Sequence, residues 1–347
     1  MSDMQSNTQL GVLTDRFGRV ASDLRVSLTD RCNLRCEYCM PAEGLEWLPT
    51  ENTLSDEEIL RLIRIGIELL GIEQVRFTGG EPLLRRSLEQ IVSQTKAMTT
   101  HLGAPPQISI TSNGLGLDKR AEALFKAGVS RANISLDSLD QQRYAAIARR
   151  DRLADALRGI EAADRAGMSP IKINAVAMKG INEDDIVKLL AFCLDHGYHL
   201  RFIEHMPLGP AHSWKRDQLL TQADILEWIS KKFELTPSSK PRGSAPAELW
   251  NVAASADHPA GDVGVIASVT NPFCDDCDRT RITADGQIRT CLFATTETDL
   301  RGPLRAGASD EELANIWMGA TEQKQAGHGM GRPDFQPPKR TMSRIGG

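Results

Sequence analysis

From residue 24 to residue 204, short β-branched runs alternate with amphipathic stretches, and this alternation limits the possible folds more than any other feature of the chain. Runs at 25–28, 74–77, 107–111, 131–136, 171–177 and 199–204 have the length and composition of strands. Stretches at 55–70, 88–100, 119–127, 152–166 and 182–196 carry the apolar period of helices. Strand, helix and next strand make a right-handed crossover, so successive strands run parallel. The first helix is marked at both ends: Ser55 and Glu58 match a capping box, and Gly71 follows the apolar face of Ile59, Leu62, Ile63, Ile67 and Leu70.

Six such units are fewer than the eight that close a barrel. The expected fold is therefore α/β, a partial, open (β/α)6 barrel of the TIM type, with ligands at the C-terminal strand ends. The alternation stops after Pro207, and a Pro-, Ser- and Gly-rich stretch at 237–246 follows a helix at 222–233. This divides the chain into an N-terminal segment 1–23, a barrel 24–207 and a smaller C-terminal α+β region 208–347. In the last, runs at 281–283 and 287–290 flank Ala284, Asp285 and Gly286, a strong hairpin signal, and a helix covers 311–317. Residues 1–10 and 238–260 carry no readable pattern.

Composition narrows the function classes. A hydrophobic share of 41% with 25% charged residues is that of a globular protein, and a net charge of -5 disfavours nonspecific nucleic-acid binding. The N-terminus is polar, and apolar runs such as 263–269 are too short to span a bilayer, so a cytoplasmic protein with no membrane or nucleic-acid partner is expected. Six of the seven cysteines fall into two tight groups; Cys193, in an apolar helical run, reads as a small core residue.

Cys32, Cys36 and Cys39 form C-x3-C-x2-C directly after the first strand. Three thiolates leave one iron of a four-iron cluster without a protein ligand, whereas zinc prefers a fourth Cys or His, and no histidine stands near. Cys274, Cys277 and Cys291 form a second trio, C-x2-C-x13-C, around the hairpin; here zinc remains the alternative on spacing alone.

With Tyr38 before its last cysteine, the first group resembles that of the radical S-adenosylmethionine superfamily. The resemblance implies a cluster that cleaves S-adenosylmethionine to a 5′-deoxyadenosyl radical. It also implies contacts to that cofactor from Gly79, Gly80 and Glu81 after the second strand, from Ser135 at the end of the fourth and from Met206 after the sixth. Arg279, Thr280 and Arg281, between the late cysteines, match the GTP cyclase family of molybdenum cofactor biosynthesis, and the match runs from Leu24 to the final Gly346 and Gly347. In that family the positions of Arg25, Arg76, Thr111 and Lys172 contact GTP, as the paired donors of arginine suit phosphate. Each alone would read as a surface charge.

The resemblance further implies two [4Fe-4S] clusters, GTP as substrate, a glycine tail entering the active site and a flavodoxin or ferredoxin type reductant. It implies a homodimer and a downstream cyclic pyranopterin monophosphate synthase as well. In the implied reaction the radical takes the ribose 3′ hydrogen and the carbon radical attacks guanine C8. Rival readings are a peptide-modifying maturase, which carries more late cysteines, and a noncatalytic zinc or iron-sulfur scaffold.

Overall fold

The computed structural model describes residues 11–210, 214–330 and 335–346. Twelve strands form a single sheet: β1 Asp23–Ser27, β2 Gln74–Thr78, β3 Gln107–Ser112, β4 Arg131–Ser135, β5 Ile171–Ala177, β6 His199–Glu204, β7 Leu235–Pro237, β8 Glu248–Val252, β9 Gly261–Ile266, β10 Arg279–Ile282, β11 Gln287–Arg289 and β12 Thr298–Asp299. Their order is β12-β11-β10-β1-β2-β3-β4-β5-β6-β9-β8-β7. The α-helices are α1 Asp56–Arg64, α2 Leu88–Lys96, α3 Ala121–Ala127, α4 Gln141–Ala148, α5 Leu153–Arg165, α6 Ile186–His196, α7 Gln222–Ser230, α8 Arg301–Arg305, α9 Asp310–Glu322 and α10 Met342–Ile345.

The open α/β barrel expected from the sequence is what forms, with β1 to β6 parallel and in chain order. Two features were not expected. β10 joins parallel to β1 and β9 joins parallel to β6, so strands from the C-terminal region extend both sides of the parallel sheet. A six-stranded open sheet would leave an unpaired row of N–H and C=O groups on each side, and these strands satisfy them. The barrel stays open because β11 and β8 continue the sheet antiparallel beyond them. Helix α4 also lies outside the expected helices, its short sequence having few apolar residues to mark a face.

Helix ends follow local chemistry. Ser55 caps α1 in a complete capping box with Glu58, and the 55–70 stretch then changes from α1 into one π-helical turn, Ile65–Leu69. The hairpin forms between β10 and β11, its turn closing at Gly286.

Side-chain alternation decides what the barrel encloses. Leu24 and Val26, Val75 and Phe77, Ile108 and Ile110, Ile173 and Ala175, and Leu200 and Phe202 are fully buried. Across β1 to β6 the opposite parity is mostly polar, with Arg25, Arg76, Ser109, Thr111, Arg131, Asn133, Lys172, Asn174 and Arg201, and is apolar at Val176 and Ile203. A packed TIM barrel fills its interior with branched apolar residues; here the interior face is built for a ligand. Strand register places Arg281, Arg25, Arg76, Ser109 and Arg131 in one lateral row across β10, β1, β2, β3 and β4.

Candidate active site

Two adjoining cavities open at the C-terminal side of the sheet. Cys32, Cys36 and Cys39 line the first, together with Tyr38, Gly79, Gly80, Glu81 and Ser135. The loop that carries the cysteines is held from two sides. The N–H groups of Gly80 and Glu81 donate to the carbonyls of Thr29 and Arg31 at 2.7 and 2.8 Å, and those of Arg35 and Glu37 donate to the last carbonyls of α4, Ala148 and Ile147, both at 3.0 Å. The helix that the sequence did not reveal thus grips the cysteine loop.

Gly79 and Gly80 are required by this packing. A Cβ on Gly80 would lie 2.3 Å from the Arg31 carbonyl oxygen, and one on Gly79 would lie 2.5 Å from that of Thr29. Glu81 is fully buried and its carboxylate accepts from the Leu83 and Asn113 N–H groups and the Ser112 hydroxyl. Burial nevertheless raises its pKa to about 7. The Tyr38 hydroxyl donates to Asp137 at 2.8 Å, and burial raises that carboxyl to about 6. Glu81 and Tyr38 therefore brace the loop as well as lining the cavity.

All six cysteines are free thiols. Burial raises Cys32 to about 11, Cys39 to about 12 and Cys36 well above its ordinary value, so deprotonation of this trio needs a metal. Among the described residues no three His, Cys, Asp or Glu groups converge on a single-ion site. Three half-buried thiols lining one cavity suit a polynuclear cluster with one open corner.

Cys274, Cys277 and Cys291 line the second cavity with Arg25, Arg76, Arg201, Arg279 and Arg281. Burial would raise Cys277, but Lys324 and Arg279 bring it below the ordinary thiol value; the Lys324 ammonium lies 3.5 Å from its sulfur. From the N-terminal segment, Arg19 donates to the carbonyls of Cys274, Ala326 and Gln325 at 2.6, 2.8 and 2.7 Å, fastening segment 325–328 across the cysteine loop.

The cations of this cavity exceed its anions. Asp23 is shared by Arg76 at 3.5 Å and Arg279 at 3.9 Å. Burial and neighbouring arginines push Arg25 well below its usual pKa, and lower Arg201 to about 9 and Arg281 to about 10. Burial, then Arg201, Arg131 and Arg76, brings Lys172 to about 8. The Nε atoms of Arg25, Arg131 and Arg281 are buried without a hydrogen-bond partner, and that of Arg279 has only the more distant Asp23 carboxylate. Such a set calls for a polyanionic ligand.

Thr111, Asn174, Ile203, Met206 and Met342 line both cavities, so the two spaces share a wall. Met342 belongs to a C-terminal segment laid over this junction. Arg340 pairs with Asp285 at 2.8 Å and Glu297 at 2.7 Å, Ser343 hydrogen-bonds to Cys39, Ile345 is buried, and a Cβ on Gly346 would meet Ser27 at 3.0 Å. Met342 and Ser343 thus line the first cavity and Gly346 packs against Ser27 and Thr78; of the expected glycine tail, Gly347 lies outside the described residues, as do residues 1–10.

Two expected substrate contacts stand elsewhere. Thr280 is directed away from the cavity, its hydroxyl accepting from the Trp317 indole of α9 at 3.0 Å, because strand alternation puts it opposite to Arg279 and Arg281. Lys172 sits beside the arginine group rather than on the cavity lining. Sequence reasoning missed Arg201, Asn174, Asp137, His205 and His328; for the first two, a polar residue at the inward parity of an apolar strand was the available signal.

Comparison with known proteins agrees with this arrangement. The model for the radical SAM superfamily matches residues 26–193, and that for Molybdenum Cofactor Synthesis C matches residues 198–330. A GTP 3′,8-cyclase of Corynebacterium glutamicum is 59% identical over 97% of this chain and 89% of its own length. One of Mycobacterium marinum is 58% identical over 97% and 92%. Among solved structures, Streptococcus suis SuiB bound to S-adenosylmethionine superposes with a TM-score of 0.58 at 13% identity, covering 95% of this chain and 77% of its own; this likeness speaks to the fold. Identity of this extent, on a chain whose two cysteine trios line adjoining cavities, shows that the chain belongs to the GTP 3′,8-cyclase family of the radical S-adenosylmethionine superfamily.

Proposed function

We propose that the chain converts GTP to (8S)-3′,8-cyclo-7,8-dihydroguanosine 5′-triphosphate, the first step of molybdenum cofactor biosynthesis. The observation that carries this reading is the shared wall. A cavity lined by three thiols and the Gly79–Gly80 turn adjoins one lined by three further thiols and a surplus of buried arginines.

In the first cavity Cys32, Cys36 and Cys39 hold one [4Fe-4S] cluster, and the Gly79–Glu81 turn, Ser135 and Met206 hold S-adenosylmethionine. When bound, that pair supplies a 5′-deoxyadenosyl radical able to take hydrogen from the ribose 3′ carbon. In the second, Cys274, Cys277 and Cys291 hold a second cluster near the guanine. Arg25, Arg76, Arg201, Arg279 and Arg281, with Lys172 behind them, neutralise the triphosphate and fix the ribose toward the shared wall. Thr111 and Met206, common to both spaces, set the approach of ribose to cofactor. The C-terminal segment keeps water out. On this reading residues 24–207 present the cofactor, and residues 208–347 present the purine.

The same reading makes the protein a cytoplasmic homodimer, reduced by a flavodoxin or ferredoxin and handing its product to cyclic pyranopterin monophosphate synthase. No helix of the described residues is long and apolar enough to cross a membrane. Anaerobic turnover of GTP deuterated at the ribose 3′ position tests the proposal. Deuterium is expected in 5′-deoxyadenosine; cofactor cleavage that leaves the label in the nucleotide overturns the substrate assignment.

A further inference from the structure

Lys324 follows α9, the helix that Trp317 fastens to β10 through the Thr280 hydroxyl at 3.0 Å. The residue is only 4% exposed. An ammonium has three N–H donors. Two of them meet the carbonyls of Cys277 and Arg279, at 2.8 and 3.2 Å, and the third reaches the Cys277 sulfur at 3.5 Å. Among the described residues the lysine ion pairs are those of Lys126 with Glu122 and Lys188 with Asp185; Lys324 has none. A buried charge without a partner of opposite sign is costly, so the anion that this ammonium faces is the Cys277 thiolate and the group that thiolate holds.

Two further observations set this lysine apart. It is not part of the wall of the second cavity, so it meets the sulfur from outside the ligand space. The first trio, in contrast, has neutral donors: the Leu34 N–H and the Asn113 amide reach the Cys32 sulfur at 3.5 and 3.9 Å, and Ser343 bonds to Cys39.

We propose that Lys324 is a positioning residue that acts through the Cys277 sulfur to raise the reduction potential of the second cluster. Reduction adds one electron to that cluster, delivered by a flavodoxin or ferredoxin type carrier that is itself oxidised by one electron, and no bond breaks. The added negative charge spreads over the cluster and its cysteine sulfurs. A fixed cation bonded to one of those sulfurs stabilises the reduced form more than the oxidised form. The inference rests on the proposed second cluster and adds to it the residue that tunes it.

The test is a redox titration of anaerobically cluster-loaded protein, followed by electron paramagnetic resonance, for the wild type, Lys324→Gln, Lys324→Met and Lys324→Arg. Added S-adenosylmethionine shifts the signal of the first cluster and so tells the two apart. In the glutamine and methionine variants the equilibrium constant for reducing the second cluster is expected to fall roughly tenfold, about 59 mV for a one-electron couple, while the first cluster's midpoint stays where it was. Arginine, which keeps the charge, restores most of the loss. An unchanged midpoint at the second cluster overturns the proposal, and so does an equal fall at both clusters. Loss of the second cluster's iron from both neutral variants would show a merely structural role and overturn it as well. A wild type that loads iron for the first cluster alone instead sinks the two-cluster reading on which the inference stands, an outcome separable from the others by iron content.

Discussion

Lys172 shows how far a single charge depends on its surroundings. Burial and the guanidinium groups of Arg201, Arg131 and Arg76 bring its pKa to about 8 in the free protein. A bound triphosphate favours the ammonium and so raises that pKa. The binding contribution is whole below the free-protein value and is lost as pH rises from there toward the pKa of the complex. GTP affinity followed calorimetrically from about pH 7 to about pH 9 is expected to fall, by up to about tenfold per pH unit. Lys172→Gln should bind GTP about 2 kcal/mol more weakly at neutral pH and show a flatter profile. At this scale the sequence disclosed chemistry better than direction. Cysteine spacing marked the trio that lines each cavity, because the closeness of Cys32, Cys36 and Cys39 and of Cys274 and Cys277 is a local property. That Thr280 turns to Trp317, or that Tyr38 and Glu81 have internal partners, depends on strands remote in sequence.

Among the elements, the turn after β2 has the least freedom. Gly80 lies against the backbone of residues 30 and 31, so Gly80→Ala places a methyl group 2.3 Å from a carbonyl oxygen that cannot move without displacing Cys32. Such overpacking costs about 1–3 kcal/mol. The more telling result is metal content: iron per chain should drop by about half, with the second trio still loaded. Retention of full iron would show that the cysteine loop tolerates the shift. Helix α4 has the complementary role, offering its terminal carbonyls to the same loop. It escaped sequence reading because Gln141–Ala148 buries only Tyr144, Ile147 and Ala148. By contrast α1 with the π-helical turn that continues it, marked by a complete capping box and a continuous apolar face, spans nearly the expected 55–70 stretch, though the change at Ile65 was not legible.

Across the whole molecule, the N-terminal segment reaches the cysteine loop of the second cavity and the C-terminal segment lies over the junction of the two. Arg19 holds the cysteine loop from the N-terminal side, and Arg340 ties the C-terminal segment to Asp285 in the β10–β11 turn and to Glu297. Arg340→Ala removes that tie and leaves Asp285 without its cation, while Glu297 keeps Arg289. Carboxypeptidase release of the C-terminal residues should then accelerate by about tenfold, and protection equal to the wild type would place the anchor elsewhere. The long-range layout was the least legible part of the fold. Parallel strands followed from the alternation, but the docking of β9 beside β6 and of β10 beside β1 joins segments whose pairing no local pattern encodes.

The lateral row of Arg281, Arg25, Arg76, Ser109 and Arg131 bears on how such a chain survives in a cell. Like charges directly opposite on neighbouring strands oppose folding. The empty barrel is therefore a loaded spring, and a nucleotide that enters it also acts as a chaperone for the fold. At a ligand concentration about a hundred times its dissociation constant, that contribution is about 2.7 kcal/mol. Starvation for nucleotide would then withdraw the enzyme itself along with its substrate, linking protein lifetime to metabolic supply without any dedicated sensor.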